Sequence, residues 1–558
     1  MHGTRTRSRW RTGLTATAIT GTLGLTLISC GGTNVVGPEA SPKLNEVNSQ
    51  LEPDDTPTTG GKLVVAVPAE TNGWNPASNQ WADAGSLEGP SMIEPLVLKN
   101  ADGEPEPYLA TSWTPNADYT QWDIKVRDDV EFHDGTKLTG EAVRANIDFS
   151  YTKGLAAVAM NEWYDHVEAT GPDTARVYLK QSWAQYPSAM NTVYMMAPSM
   201  LSREDKGVLN PAGTGPFTFV EWQQNGFLKV KKFDHYWRKD KAGRQLPYLD
   251  EIEFRPIPDH GSMSKAVEAN DVDFALTTSA KMATDLEADH TVLKDYTSER
   301  TLIMLQTDED PSNAPNPFTN KHARKALAYA TDREYIASLI GENVQVTTQG
   351  YRPDSKWGLA PGEDGYVQFD QDKARAEVEA YKKETGRSDL TFTVIGLPDI
   401  QDQTMLQALQ AQWKEVGMDM SIETIDQVKY ISHLILGQWD AAYMRWYGNP
   451  NPDGNFAYHS SGSVAPIGKL SVNFTHYHSA TLDENLKKSR QSSDFETRKS
   501  ANDAVIREAN DQAINIWLFD TPYAIVTETT VRGLNSFRTH PFGNFTPKPW
   551  WGEVWMQR

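Results

Sequence analysis

The sequence predicts an α/β protein of more than one lobe, and three observations carry this. The apolar run LTFTVIGL (Leu390–Leu397), the helix-periodic TMLQALQAQWKEVG and the alternating MDMSIETI form strand–helix–strand, the sign of a parallel α/β layer. KLVVAV (Lys62–Val67) is a short β-branched run of the kind that forms a buried strand. The body that follows Gly60 holds roughly 500 residues, too many for one core, so two or three lobes are expected.

The remaining elements follow in order. YTQWDIKV alternates at Trp122, Ile124 and Val126, and Asp134-Gly135 marks a turn before a helix entered at Thr139 with Glu141 in its first turn. DTARVYLK alternates again at Ala175, Val177 and Leu179. NKHARKALAYATDREYIASLIG reads as a single helix, with Ala323, Ala326, Leu327 and Ala330 on one face and Gly341 as its stop. Leu406, Leu409, Trp413 and Val416 share one side of the next helix, which Gly417 ends.

The first sixty residues read differently. Arg5, Arg7, Arg9 and Arg11 precede a charge-free stretch from Gly13 to Ile28, the pattern of a secretory signal. That stretch is shorter than the ~20 residues a membrane span needs. Cys30 is the only cysteine among 558 residues, which excludes an internal disulfide. Residues 31–60 are rich in Pro, Thr, Ser, Gly, Asn and acidic side chains, a composition that forms a flexible spacer.

The net charge is −21, and loss of the leader makes it four units more negative. A body this acidic is a poor partner for nucleic acid. Ser262-Met263-Ser264-Lys265 fits an S-x-x-K pattern, but no companion SDN or KTG motif is present, and a helix start capped by Ser262 is the better reading. G-x-S-x-G and HExxH are absent, and His476 with His478 is too small a set for a metal site. No catalytic constellation, cofactor or metal site is expected.

Four strings, in order along the chain, resemble the family-5 extracellular solute-binding proteins of ABC importers (the dipeptide, oligopeptide and nickel class). They are EPLVLKNADGEPEPYLATSWTPNADYTQWDIKVRDDVEFHDGTKLTGEAVRANIDF, GTGPFTFVEWQQNGFLKVKKFDHYWRKDKAGRQLPYLDEIEFR, PFTNKHARKALAYATDREYI and WKEVGMDMSIETID. LISC at Leu27–Cys30 resembles a bacterial lipobox. The resemblance implies a two-lobed α/β fold of the periplasmic-binding-protein type II kind, with a hinge and an extra subdomain on the first lobe. Carried over by order, residues 1–29 are the signal peptide and 30–60 a lipid-anchored spacer. The first lobe takes 61–100, 213–315 and 520–558, its subdomain 101–212, and the second lobe 316–519. Lipid on Cys30 would hold a monomer at the outer face of a bacterial cell membrane, where it passes its solute to a permease and its ATPase.

In peptide-binding members an aspartate shortly after Gly-Trp takes the ligand's ammonium group. The matching stretch here is WDAAYMRWYGNPNPDGNF, with Trp446 on the family tryptophan and Asn449 on the aspartate. Asparagine cannot supply the counter-charge, which leaves Asp453 as a substitute. Arg445 suits a carboxylate, and Trp446 and Tyr447 suit a stacking wall. Trp81 and Asp83 fall near first-lobe positions that touch ligand in relatives. The expected ligand is a short peptide; haem, a metal chelate or an oligosaccharide in the same fold is the alternative, and a membrane-anchored hydrolase the reading of another class.

Overall fold

The computed structural model describes residues 56–79, 81, 83–100, 103–295, 299–309, 315–351, 355–447, 450–534 and 549–557, within one compact unit. The expected signal peptide, Cys30, most of the expected spacer and Asn449 lie outside the described residues.

The first sheet has seven strands, with Lys62–Val67 near its middle. This strand runs parallel to Glu251–Pro256 on one side and Phe274–Thr277 on the other. It is apolar almost throughout because both faces are covered. Leu63, Val65 and Val67 pack with Ile252, Phe254 and Phe274, whereas Ala66 faces Met263, Val267 and Val272 across the sheet. Tyr523–Thr527 returns from the far end of the sequence to pair with Phe274–Thr277 and Thr291–Asp295.

The second sheet is ordered Met418–Thr424, Leu390–Gly396, Ala441–Tyr447, Glu299–Leu305, Asn515–Asp520. Leu390–Gly396 and Met418–Thr424 pair in parallel from Leu390 opposite Met418 to Gly396 opposite Thr424. The helix Ile400–Lys414 joins them, and Leu406, Leu409 and Trp413 fill its buried side. Glu299–Leu305, assigned to the first lobe from the sequence, is a central strand of this second sheet. It pairs on both edges and is buried at every position, so the second lobe begins near residue 299.

A four-stranded antiparallel sheet carries the subdomain, its strands Ala110–Pro115, Gln121–Val126, Thr174–Leu179 and Tyr164–Gly171 in spatial order. Trp122, Ile124, Val126, Ala175, Val177 and Leu179 all point into its core, as their alternation predicts. The helix Gly140–Thr152 enters at Thr139, whose side chain accepts from the Ala142 amide at 3.2 Å.

Two local expectations are corrected. The long helix breaks into Lys321–Ala330 and Arg333–Ile340, because Thr331 turns to extended backbone and the Asp332 carboxylate caps a new start at the Tyr335 amide. The helix His260–Glu268 is capped by Asp259, which accepts from the backbone amide and the hydroxyl of Ser262 at 2.7 Å each; Ser262 is inside the first turn.

The chain crosses between the two large sheets after Asp295 and again after Asp520. At the second crossing the Thr521 amide donates to the Glu299 carbonyl at 2.9 Å, and the Thr301 and Thr521 hydroxyls share a 2.9 Å hydrogen bond. Beside them Arg300 and Asp520 form a fully buried ion pair at 3.1 Å. Two crossings held at one place form a hinge between lobes.

Candidate functional site

A cavity of about 80 Å³ opens beside these crossings and is lined from both lobes. The first lobe contributes Pro68 and Ala69, which follow its parallel strand, and His260 at the start of a helix. The second lobe contributes Asp399, the cap of the helix Ile400–Lys414, Gln401 and Asp402 from its first turn, and Tyr443 and Arg445 from the strand Ala441–Tyr447. Residues 443 and 445 share a face because side chains repeat every second position along a strand.

Charge is unevenly placed around this space. Arg445 donates from Nη1 to the Tyr523 hydroxyl at 3.3 Å and brings a guanidinium to the cavity. Asp399 accepts from the amides of Gln401 and Asp402 through Oδ1, while Oδ2 lies 3.8 Å from His260 Nε2 of the opposite lobe. Burial lowers the pKa of His260; Arg445 adds to this and Asp399 opposes it. The imidazole is therefore neutral near pH 7. Burial also pushes the Tyr443 phenol well above its ordinary value, and the Asp402 carboxylate adds to this. The site thus offers a cation and two carboxylates around one small space, suited to a ligand carrying both signs of charge.

The residues singled out in the sequence fall in different places. Arg445 lines the interlobe cavity. Trp446 points to the other side of the strand, stacks on His459 at 5.5 Å and borders a second chamber inside the second lobe. Tyr447 ends the strand opposite Glu299, and its side chain, like that of Asp83 at the start of the helix Asp83–Glu88, lies outside the described residues. Trp81 is buried in the first lobe, donating to the Gly73 carbonyl at 3.1 Å and meeting Tyr194 edge-on.

Asp453 has another task. It is paired with Arg490 at 2.8 Å, accepts from Trp183 Nε1 at 3.0 Å, and both members of the pair are nearly sealed from water. Its carboxylate is engaged between the second lobe and the subdomain, away from the interlobe cavity. His476 is buried while His478 is exposed, and no cluster of three metal-ligating side chains occurs among the described residues.

Sequence reasoning missed Asp399, Asp402 and His260. An aspartate just before a helix has the ordinary signature of a cap, which Asp399 also is, so its second role has no separate mark in the sequence.

Two α/β lobes, joined by paired crossings around a cavity lined from both, define the class of two-lobed solute-binding folds. The chain belongs to the bacterial extracellular solute-binding proteins, family 5 Middle, whose sequence pattern matches residues 104–466. That family binds solutes and is not a family of catalysts. Among curated proteins the chain is 28% identical over 331 residues to the glutathione-binding protein GsiB of Shigella flexneri, covering 57% of this chain and 60% of GsiB. It thus spans about three fifths of the length of that relative. The oligopeptide-binding protein AppA of Bacillus subtilis, solved with a nonapeptide, superposes with a TM-score of 0.77 at 21% identity, covering 90% of this chain and 100% of AppA. DppA of Helicobacter pylori, solved with the peptide STSA, gives a TM-score of 0.77 at 20% identity over 90% of this chain and 99% of DppA. At these identities the structures establish the fold. No helix among the described residues is long and apolar enough to cross a membrane.

Proposed function

We propose that this chain is an extracytoplasmic substrate-binding lipoprotein of an ABC importer, which captures short peptides between its lobes and delivers them to a permease and its ATPase. The observation that carries the reading is the interlobe cavity, where Arg445 of one lobe's strand, Asp399 and Asp402 of its helix, and His260 of the facing lobe surround one space. Such a site selects a small ligand with both a carboxylate and an ammonium group. Closure follows when ligand prefers the state in which both lobes touch it. The bound peptides of AppA and DppA, and the glutathione of GsiB, support a peptide as the solute. Arg445 takes the carboxylate, while Trp446, Tyr447, Asn449 and Asp83 border the ligand along its length. A diacylglyceryl group on Cys30 tethers the protein as a monomer at the outer membrane face, two acyl chains being enough for stable anchoring.

Native mass spectrometry of the full chain, released from detergent without denaturant, tests this. An added mass that fragments into amino acids is expected. A haem, metal-chelate or sugar mass in its place overturns the peptide assignment.

A further inference from the structure

The second lobe contains a chamber of about 40 Å³ behind Trp446, separate in its lining from the interlobe cavity. Its walls are the indoles of Trp446 and Trp517 and the side chains of Asn455, His459 and Asn515, with no charged residue among them. Asn455 and Asn515 are 6% and 2% exposed, and the Oδ1 atom of each is sealed from water without a hydrogen-bond partner. The Nδ1 atom of His459 is in the same condition. Burial holds the His459 pKa down at about 4, so the ring adds no charge.

The orientation of Asn455 is determined by its neighbours. A backbone carbonyl only accepts, so Asn502 must turn its Nδ2 toward the Trp357 carbonyl, 2.8 Å away. Its Oδ1 then accepts from the Tyr351 hydroxyl at 2.8 Å. Having donated there, the Tyr351 oxygen accepts from Asn455 Nδ2 at 2.8 Å. Asn455 Oδ1 is what remains, an acceptor with nothing to accept. Asn510 is saturated in the same way, donating to the Thr348 and Asp364 carbonyls and accepting from Trp517 Nε1 at 3.2 Å.

Unsatisfied buried acceptors are costly, and a native structure answers them with a ligand or with water. At roughly 10–15 Å³ of such space per water, the chamber takes about three water-sized groups. Three is the heavy-atom count of a carboxamide, whose NH2 offers two donors and whose oxygen accepts one hydrogen. We propose that this chamber is a specificity site for a neutral carboxamide group, held by Asn455, Asn515 and His459 between the Trp446 and Trp517 rings. Resting on the peptide reading above, the source of the group is an asparagine or glutamine side chain of the bound peptide. A carboxylate of the same shape is refused, because it brings an uncompensated charge into a chamber with no charged residue in its lining.

The test offers the full chain an equimolar tripeptide library and reads the retained peptides by mass. Retained peptides are expected to be enriched about tenfold in Asn or Gln at one position over Asp, Glu and Leu, the usual effect of leaving a buried polar group unpaired. Asn455→Asp and Asn515→Ser, each checked for an unchanged thermal melt, are expected to abolish that enrichment. Retention without amide preference, or a preference that both variants keep, overturns the proposal and leaves ordered water as the occupant. If no peptide is retained, the peptide reading fails and the chamber is judged with acetamide as the probe. Saturation transfer from the wild-type chain to acetamide that is lost in Asn455→Asp upholds the site, and no transfer overturns it.

Discussion

Replacing Arg490 by methionine is predicted to be among the most damaging single changes outside the cleft. Arg490 lies on the helix Ala480–Gln491, 5% exposed at its side chain, and Asp453 is 3% exposed. The guanidinium donates to the Asp453 carboxylate at 2.8 Å and to its carbonyl at 3.2 Å, and stands 3.6 Å from the Phe456 ring, 4.0 Å from Trp183 and 4.7 Å from Trp163. The two tryptophans belong to the subdomain, so the pair also joins it to the second lobe. Methionine keeps the apolar contacts but strands a buried carboxylate with one remaining side-chain donor, Trp183 Nε1. Removing one member of such a pair costs about 3–5 kcal/mol. Asp453→Asn is milder, about 2 kcal/mol, because the amide oxygen still accepts from Trp183 and the cation keeps three ring faces. The double variant Arg490→Met/Asp453→Leu is expected to lose less than the two single changes summed, since neither member of the pair is left charged without the other, and the buried Lys99 ammonium, which Asp453 also stabilises, keeps Glu104. Urea unfolding followed by far-UV circular dichroism measures all three. Single changes that each cost under about 1 kcal/mol, or strict additivity in the double variant, refute the reasoning.

Three further outcomes are expected. Arg445→Gln should weaken binding of peptides with a free carboxylate by roughly 10–100-fold, with little effect on C-terminally amidated ones, as read by titration calorimetry. His133 is half-buried, with Nε2 against the Gly215 carbonyl at 2.9 Å and Nδ1 accepting from the Gly213 amide, and desolvation holds its pKa at about 4. Because the folded value is depressed, its contribution is complete above about pH 6.5 and is lost as pH falls toward 4, by up to about 3 kcal/mol, and His133→Gln should flatten that part of a stability-versus-pH curve. A Cβ at Gly215 would stand 2.6 Å from the Met92 carbonyl carbon and the Ser91 oxygen, so Gly215→Ala should lower the melting temperature through about 1–3 kcal/mol of overpacking, whereas Gly171→Ala, with its nearest neighbour at 3.7 Å, should not.

Much of the architecture was legible because it follows from periodicity. The alternation at Trp122 and Ala175 and the helix stripe of Leu406, Leu409 and Trp413 depend only on neighbouring residues. The placement of Glu299–Leu305 was not legible, since an all-buried strand fits either lobe until its pairing partners are known. Likewise the stop at Thr331 depends on Asp332 capping the next helix, a choice that the apolar spacing of 323–340 conceals. At the candidate site, Arg445, singled out from its sequence neighbourhood, lines the cavity, whereas the engagement of Asp453 is hidden in the sequence because its partners Arg490 and Trp183 are remote along the chain. Trp81 falls near a first-lobe position that touches ligand in relatives, yet its indole N–H is turned to the Gly73 carbonyl inside the first-lobe core, a contact between residues that the sequence alone does not bring together.

The central claim, that peptide closes the two lobes on each other, is tested most directly by an interlobe distance. With Cys30 replaced by serine, no cysteine remains. Spin labels then go onto cysteines at Lys281 on the first lobe and Val428 on the second, both exposed surface positions. Double electron–electron resonance with and without the tripeptide library gives the distance distribution. The account predicts a shorter and narrower distribution with peptide, reversed on dialysis; a distribution that peptide leaves unchanged contradicts it.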